Sequence, residues 1–197
     1  LLTSLISLWR NIWGDEELPF IIVQLPMFKY KNDPDYKHWC LIREAQMRAY
    51  KTVKNTGIAV ISDCGEFDNI HPTDKAPVGG RLCLQAEKLV YGMDVKAFGP
   101  LYKSFEYTDG GIKLYFHHAE NGFVIKDGEP KGFEIAGEDK EFYPAKAEVS
   151  GDSIFISSDK VSKPLYARYC WYNYGEVNVY NETGIPLGPF RTHRNDQ

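Results

Sequence analysis

The sequence lacks three patterns that would each assign it to a large functional class. No apolar run approaches the roughly 20 residues that a membrane-spanning helix needs, so we expect no membrane span. No block of Lys and Arg is present, and 23 basic against 27 acidic residues give the 197-residue chain a net charge of −4. Nucleic-acid binders carry basic surfaces, so we expect no nucleic-acid partner. The cysteines include no C-x-x-C pair, so their spacing does not indicate zinc.

The composition is that of an ordinary globular protein, with 43% apolar and 14% aromatic residues. A disordered chain would have fewer aromatic residues and a larger net charge. Four isolated cysteines are present, namely Cys40, Cys64, Cys83 and Cys170. We interpret them as reduced, small apolar fillers, although the sequence leaves one bridge open. We expect neither a cofactor nor a bound metal.

Residues 1–98 follow the pattern of an α/β domain. Helical spacing of apolar residues predicts helices at 4–12 and 37–53 and a third helix with Pro77 in its first turn and Gly92 after its last. Continuous apolar runs at 20–25 and 58–61 are typical of strands that are covered on both faces of a parallel sheet. Because two such strands cannot form a stable sheet alone, we expect further strands on polypeptide before Leu1.

Residues 99–197 follow a different pattern, in which short alternating strands are separated by turn residues. A hairpin is predicted around Asp109-Gly110-Gly111, and further strands at 123–125, 132–135, 145–149, 153–157 and 165–172. Turn signals every eight to twelve residues favour an antiparallel β-sandwich.

The segment 62–72 is the strongest candidate for a functional site, because it follows a parallel strand at the sheet edge where α/β proteins bind ligands. Asp68 and His71 are three residues apart, close enough for the carboxylate to orient the imidazole as a general base. Pro72 restricts the backbone of His71. The alternative is a capping Asp beside a surface His.

Other chemistry in this segment remains open. Asp63, Asp68 and His71 could together bind a divalent metal. Gln24 ends the first strand at the same edge and could reach a ligand. Trp39, Arg43 and Gln46 are better explained by packing. No serine follows a strand and precedes a helix in the way a nucleophile requires, and Ser62 is expected to face into the sheet.

The order and spacing of many short segments resemble the sialate O-acetylesterases, which are SGNH-type hydrolases. The segments are Trp9-Arg10, Leu18-Pro19-Phe20, Val23-Gln24-Leu25, Trp39, Arg43-Glu44-Ala45-Gln46, Asp63-Cys64-Gly65, Asp68-Asn69-Ile70-His71-Pro72, Lys75, Val78-Gly79-Gly80-Arg81-Leu82, Tyr91-Gly92, Gly99-Pro100, Gly132-Phe133-Glu134, Pro144-Ala145, Arg168-Tyr169-Cys170-Trp171, Tyr180-Asn181 and Pro189-Phe190-Arg191-Thr192.

The resemblance implies that residues 1–98 are the carboxyl-terminal part of a flavodoxin-like hydrolase domain and that residues 99–197 form a β-sandwich. It implies that His71 is the general base and acid and that Asp68 orients it. The nucleophilic serine and the oxyanion-hole residues belong to segments that this sequence does not contain, so we expect them on the missing amino-terminal part of the same protein.

The function expected from this resemblance is hydrolysis of sugar O-acetyl esters, with 9-O-acetylated sialic acid as the first substrate. Acetyl-xylan or another acetylated polysaccharide is the alternative within the class. A non-catalytic carbohydrate-binding module is the alternative outside it, suggested by the aromatic residues of the second half. The family and its substrates imply secretion or the periplasm.

Overall fold

The computed structural model describes residues 1–194 and divides the chain into two compact units, Leu1–Phe98 and Gly99–Gln197. The first unit contains α1 (Leu2–Trp13), β1 (Phe20–Val23), α2 (His38–Thr52), β2 (Thr56–Ala59), a short 3₁₀ helix (Ser62–Cys64) and α3 (Ala76–Leu89). The second contains β3 (Leu101–Thr108), β4 (Gly111–His117), β5 (Val124–Ile125), β6 (Phe133–Ala136), β7 (Tyr143–Pro144), β8 (Lys146–Ser150), β9 (Ser153–Ser157), β10 (Tyr166–Tyr169), β11 (Val179–Tyr180) and β12 (Phe190–Arg191).

In the first unit, β1 and β2 form a two-stranded parallel sheet in which Phe20 is paired with Thr56. Ile22 and Ile58 pack against Ala49 of α2, while Ala59 and Ile61 pack against side chains of α3. Both faces of the pair are therefore covered, which explains the continuous apolar runs. The mixed α/β class with a small parallel sheet is confirmed.

The second strand lies two residues earlier than predicted. It ends at Ala59, and Val60 and Ile61 are buried beyond its end. Ser62 was expected to face into the sheet, but it begins the 3₁₀ helix instead. An apolar run indicates burial, whereas a strand also requires a paired neighbour. Because β1 ends at Val23 after four paired residues, β2 ends at its partner Ala59.

The helix α1 forms as predicted, but its apolar stripe faces outward. Ile6 is fully buried, whereas Leu5, Leu8, Trp9 and Ile12 are 47–70% exposed. Arg10 fixes the helix to the unit by donating from Nε to the Leu18 carbonyl (3.0 Å) and from a terminal nitrogen to the Lys54 carbonyl (2.9 Å).

The edges of the parallel pair differ in how well they are covered. The amide of Ile58 points away from β1 and donates to Oε1 of Gln85, so a side chain of α3 occupies that edge of β2. At the other edge, Gln46 of α2 accepts from the Leu25 amide (2.8 Å) and donates to the Val23 carbonyl (3.1 Å). Within residues 1–194, the outward amide and carbonyl of Ile21 have no backbone partner. Every residue of β2 is buried, but Val23 in β1 is 37% exposed.

The second unit consists of antiparallel sheets in the orders β3-β4-β9-β8, β12-β10-β6-β7 and β11-β5. The predicted hairpin is present as β3 and β4. Aromatic side chains connect the two four-stranded sheets, since Tyr102 and Phe116 both contact Phe190, with ring centroids 4.5 and 5.8 Å apart. Of the four two-residue strands in the described residues, β5 was predicted, whereas β7, β11 and β12 were not, because strands this short are defined mainly by pairing with a neighbour.

Candidate active site

The segment that follows β2 is held close to the segment that follows β1. A Cβ atom on Gly65 would lie 1.8 Å from the Met27 carbonyl oxygen, so only glycine fits here. The amide of Asp68 donates to the Lys29 carbonyl (2.8 Å), and Lys29 and Phe67 form a parallel bridge. Both segments leave the carboxyl ends of parallel strands, which is the edge at which α/β sheets bind ligands.

An ion pair fixes the beginning of the second segment. The guanidinium of Arg81 in α3 donates from its two terminal nitrogens to the two carboxylate oxygens of Asp63, at 2.5 and 2.8 Å. The same group also donates to the Val60 carbonyl (3.0 Å). The side chains of Arg81 and Asp63 are 9% and 15% exposed, so little water screens the pair.

Asp68 and His71 both lie on the surface of this segment and are exposed. Asp68 has a left-handed backbone (φ 59°), and the His71 amide donates to Oδ1 of Asn69 (3.0 Å). In the part of the chain that the structure describes, no hydrogen bond or ion pair joins the Asp68 carboxylate to the His71 ring. The pairing of these two side chains in catalysis therefore stays a prediction.

Glu66 was not singled out by the sequence, yet its side chain ties together both ends of the turn that contains His71. Its carboxylate accepts from Nδ2 of Asn69 (2.7 Å) and from the amide and hydroxyl of Thr73 (2.5 and 2.7 Å). The hydrogen bonds from Thr73, and then that from Asn69, lower the pKa of Glu66. The spacing of Glu66, Asn69 and Thr73 at every third or fourth residue is a signal that could have pointed to it.

The neighbouring polar residues are structural, as predicted for three of them. Arg43 is 1% exposed and donates to the Pro26 carbonyl, and Gln46 covers part of the edge of β1. Trp39 packs edge-on against Phe28. Gln24 is fully buried, and its Nε2 donates to the Arg43 carbonyl (3.1 Å), so it does not reach a surface ligand.

The structure gives no support to the metal alternative. Asp63 is engaged by Arg81. Across residues 1–194, no three His, Cys, Asp or Glu side chains are grouped so that they could hold a metal ion.

The cysteines are free thiols in the described residues, but only three of them fill the interior. Cys40, Cys64 and Cys170 are buried, whereas Cys83 is exposed on α3, so the interpretation as a filler is wrong for Cys83. Burial, and then the Asp63 carboxylate, raise the pKa of the Cys64 thiol to about 11, which keeps it protonated.

Much of the aromatic content of the second unit belongs to its interior. Tyr169 and Trp171 are 0% and 1% exposed, and Tyr102 stacks on Phe190. Side chains buried in this way cannot stack on a sugar, which weakens the case for a binding module.

The longest helix in the described chain has 15 residues, and none of its helices has the length and apolar character to cross a bilayer.

Comparison with known proteins identifies two relatives. A sialate O-acetylesterase from Mus musculus is 27% identical over 215 residues, which covers 95% of this chain and 39% of the mouse protein. The crystal structure of a carbohydrate acetylesterase from Xanthomonas citri superposes with a TM-score of 0.92 at 36% identity, over 98% of this chain and 45% of that one. The resemblance to the sialate O-acetylesterases is confirmed. No protein-family model matches the chain.

The chain spans less than half the length of both relatives. Both match it almost from end to end, so the resemblance extends over the parallel sheet and the antiparallel sheets alike. This partial coverage is consistent with the carboxyl-terminal part of the family.

Proposed function

We propose that this chain is the carboxyl-terminal part of a serine-type carbohydrate O-acetylesterase and carries the general base of its active site. The observation that carries the proposal is the position of His71, which lies on the segment after β2 at the sheet edge where ligands bind, in a chain that resembles acetylesterases over its whole length. In this proposal residues 1–98 complete a flavodoxin-like SGNH-type domain, and residues 99–197 are its β-sandwich.

The proposed reaction is acyl transfer in two steps. A serine hydroxyl on polypeptide outside this chain attacks the acetyl carbonyl carbon while His71 takes the hydroxyl proton. The tetrahedral intermediate collapses when the bond to the sugar oxygen breaks, and His71 returns the proton to that oxygen. His71 then takes a proton from water, whose oxygen attacks the acetyl-serine carbonyl carbon. When the bond from that carbon to the serine oxygen breaks, His71 returns the proton to the serine, so acetate leaves and the free serine and neutral His71 are regenerated.

Asp68 has the role of orienting His71. Its carboxylate would accept a hydrogen bond from the ring and favour the tautomer that leaves the second nitrogen free to act as a base. Catalytic hydrogen bonds commonly tighten only in the complete, substrate-bound site, so the exposed positions of both side chains are compatible with this role.

We expect the nucleophile on other polypeptide, because the serines of the first unit are unsuited: Ser62 is 2% exposed, and Ser4 and Ser7 lie within α1. Two surfaces of the first unit are suited to the missing part. One is the exposed apolar stripe of α1, and the other is the open edge of β1 with its outward Ile21 amide and carbonyl. Contiguous exposed apolar surface commonly marks an interface, and an open edge can pair with a further strand.

For the substrate, we propose an O-acetylated sugar, with 9-O-acetylated sialic acid as the first candidate and acetyl-xylan or another acetylated polysaccharide as the alternative. The name of the mouse relative supports the first and the broader name of the Xanthomonas citri relative is compatible with both. A secreted or periplasmic location is proposed together with this substrate class.

The test is the His71→Ala variant of the intact protein, assayed for acetate release from a chromogenic acetyl ester. Loss of the base should lower kcat by roughly three to six orders of magnitude. His117→Ala is the matched control, since His117 is an exposed histidine at the end of β4 in the second unit, and it should leave kcat unchanged. Turnover by His71→Ala within tenfold of the parent rate would overturn the proposal.

A further inference from the structure

Glu66 closes the segment around His71 into a hydrogen-bonded turn. Its carboxylate binds Asn69 on one side of His71 and Thr73 on the other, through three donors at 2.5–2.7 Å. Glu66 is also adjacent to Gly65, which packs against the Met27 carbonyl. The turn is thus anchored at the same point where the two post-strand segments meet.

Asn69 transmits this anchoring to His71. An ionised carboxylate can only accept hydrogen bonds, so the atom of Asn69 that faces Glu66 has to be the NH₂ group. Its oxygen is left to accept from the His71 amide, as observed at 3.0 Å. The Glu66 carboxylate accepts, the Asn69 NH₂ group donates, the Asn69 oxygen accepts and the His71 amide donates. Only this one orientation of the Asn69 amide satisfies both hydrogen bonds.

We propose that Glu66 is a positioning residue for His71 and acts through Asn69 and Thr73 to fix the backbone from which the imidazole projects. The inference rests on the proposed catalytic role of His71. Nothing in it requires Glu66 to touch the substrate.

A carboxylate is required at this position because donors approach it from both sides. In Glu66→Gln, one end of the side chain becomes an NH₂ group. If that group faces Thr73, it meets the backbone N–H. If it faces Asn69, it meets another NH₂ group, and turning the Asn69 amide over would only move the conflict to the His71 amide.

A second substitution should restore the alternation. In Glu66→Gln/Asn69→Asp, the oxygen of the new amide at position 66 still accepts from Thr73. The NH₂ group of that amide donates to the new carboxylate at position 69, which in turn accepts from the His71 amide. Asn69→Asp alone should be impaired, since two carboxylates would then face each other.

The experiment measures kcat and KM of the intact protein for a chromogenic acetyl ester, together with the hydrogen-exchange rate of the His71 amide. We expect each single variant to lower kcat by about ten- to a hundredfold with KM changed less than threefold, because displacement of a catalytic group by about 1 Å has costs of this size. The double variant should return to within about threefold of the parent kcat. Amide exchange should accelerate in the single variants and slow again in the double variant.

Glu87→Gln serves as the matched control, since Glu87 lies on α3, outside the segment, and accepts from the Cys83 thiol. Parent-like kcat and amide exchange in Glu66→Gln, or a double variant no better than the worse single one, would overturn the positioning role. If His71→Ala retains activity, the proposed function fails instead. Even in that case the exchange measurement still decides whether Glu66 fixes the His71 backbone.

Discussion

Breaking the ion pair between Arg81 and Asp63 should strongly destabilise the first unit. In Arg81→Met, the aliphatic stem is kept but the guanidinium is lost, so Asp63 remains as a charge with 15% exposure and the Val60 carbonyl loses its donor. Removing one partner of a buried pair typically costs about 3–5 kcal/mol, mostly because the other charge remains uncompensated.

Urea unfolding followed by far-ultraviolet circular dichroism is a suitable assay, because the three α-helices of the described residues all lie in Leu1–Phe98. With a slope of about 1–2 kcal/mol per molar urea, the midpoint should fall by about 1.5–5 M. Lys88→Met is the control on the same helix, where Lys88 and Asp94 form a pair at 3.7 Å with side chains 45% and 109% exposed. Such a surface pair contributes about 0–1 kcal/mol.

The comparison of these two variants tests the reasoning directly. If Arg81→Met shifts the midpoint no more than Lys88→Met, burial does not decide the energetics of the Arg81 pair. Asp63→Asn adds a second check, since it removes the charge but leaves a side chain of similar shape that can still accept from Arg81. It should also be clearly destabilising, because the guanidinium of Arg81, with 9% exposure, then loses its counter-charge.

Two further predictions concern the glycines and the thiols. Gly65→Ala should lower the free energy of unfolding by about 1–3 kcal/mol, because its Cβ would collide with the Met27 carbonyl. Gly79→Ala should raise it by about 0.5–1 kcal/mol, because Gly79 lies within α3 with open space around it. Chemical denaturation measures both changes, and changes of the same sign would contradict the packing argument. Iodoacetamide at neutral pH should alkylate exposed Cys83 first and leave Cys64, whose pKa is raised to about 11, unmodified in the folded protein. Mass mapping of the labelled peptides measures both rates, and a Cys64 that reacts as fast as Cys83 would contradict the prediction.

The fold could be predicted from the sequence where local patterns and tertiary contacts agree. The run at β1 and the helical spacing of α2 were sufficient for their assignments, because Ile22 of β1 and Ala49 of α2 are buried in one cluster. The strand β9 matches its predicted bounds of Ser153–Ser157, since its alternating residues are buried between two neighbouring strands.

Strand pairing and long-range polar contacts could not be predicted from the sequence. The two-residue strands β7, β11 and β12 exist only because a partner strand lies beside them. The three- and four-residue spacing of Glu66, Asn69 and Thr73 is compatible with their contact, but the turn that brings them together is not visible in the sequence. Helical spacing identified the apolar stripe of α1 but not the side of the helix that packs on the unit. The position of His71 after a parallel strand could be predicted, whereas the hydrogen bonds that hold its backbone could not.

The glutamine on α3 that occupies the outer margin of the parallel sheet has a consequence for how such a sheet can be extended. Because Gln85 blocks the Ile58 amide on one side, added strands can join only beyond β1. Replacing Gln85 with leucine would leave the Ile58 amide, in a residue that is 1% exposed, without its acceptor, and an unsatisfied buried donor of this kind costs about 1–3 kcal/mol. A single side-chain amide thereby determines at which edge this small sheet can be extended.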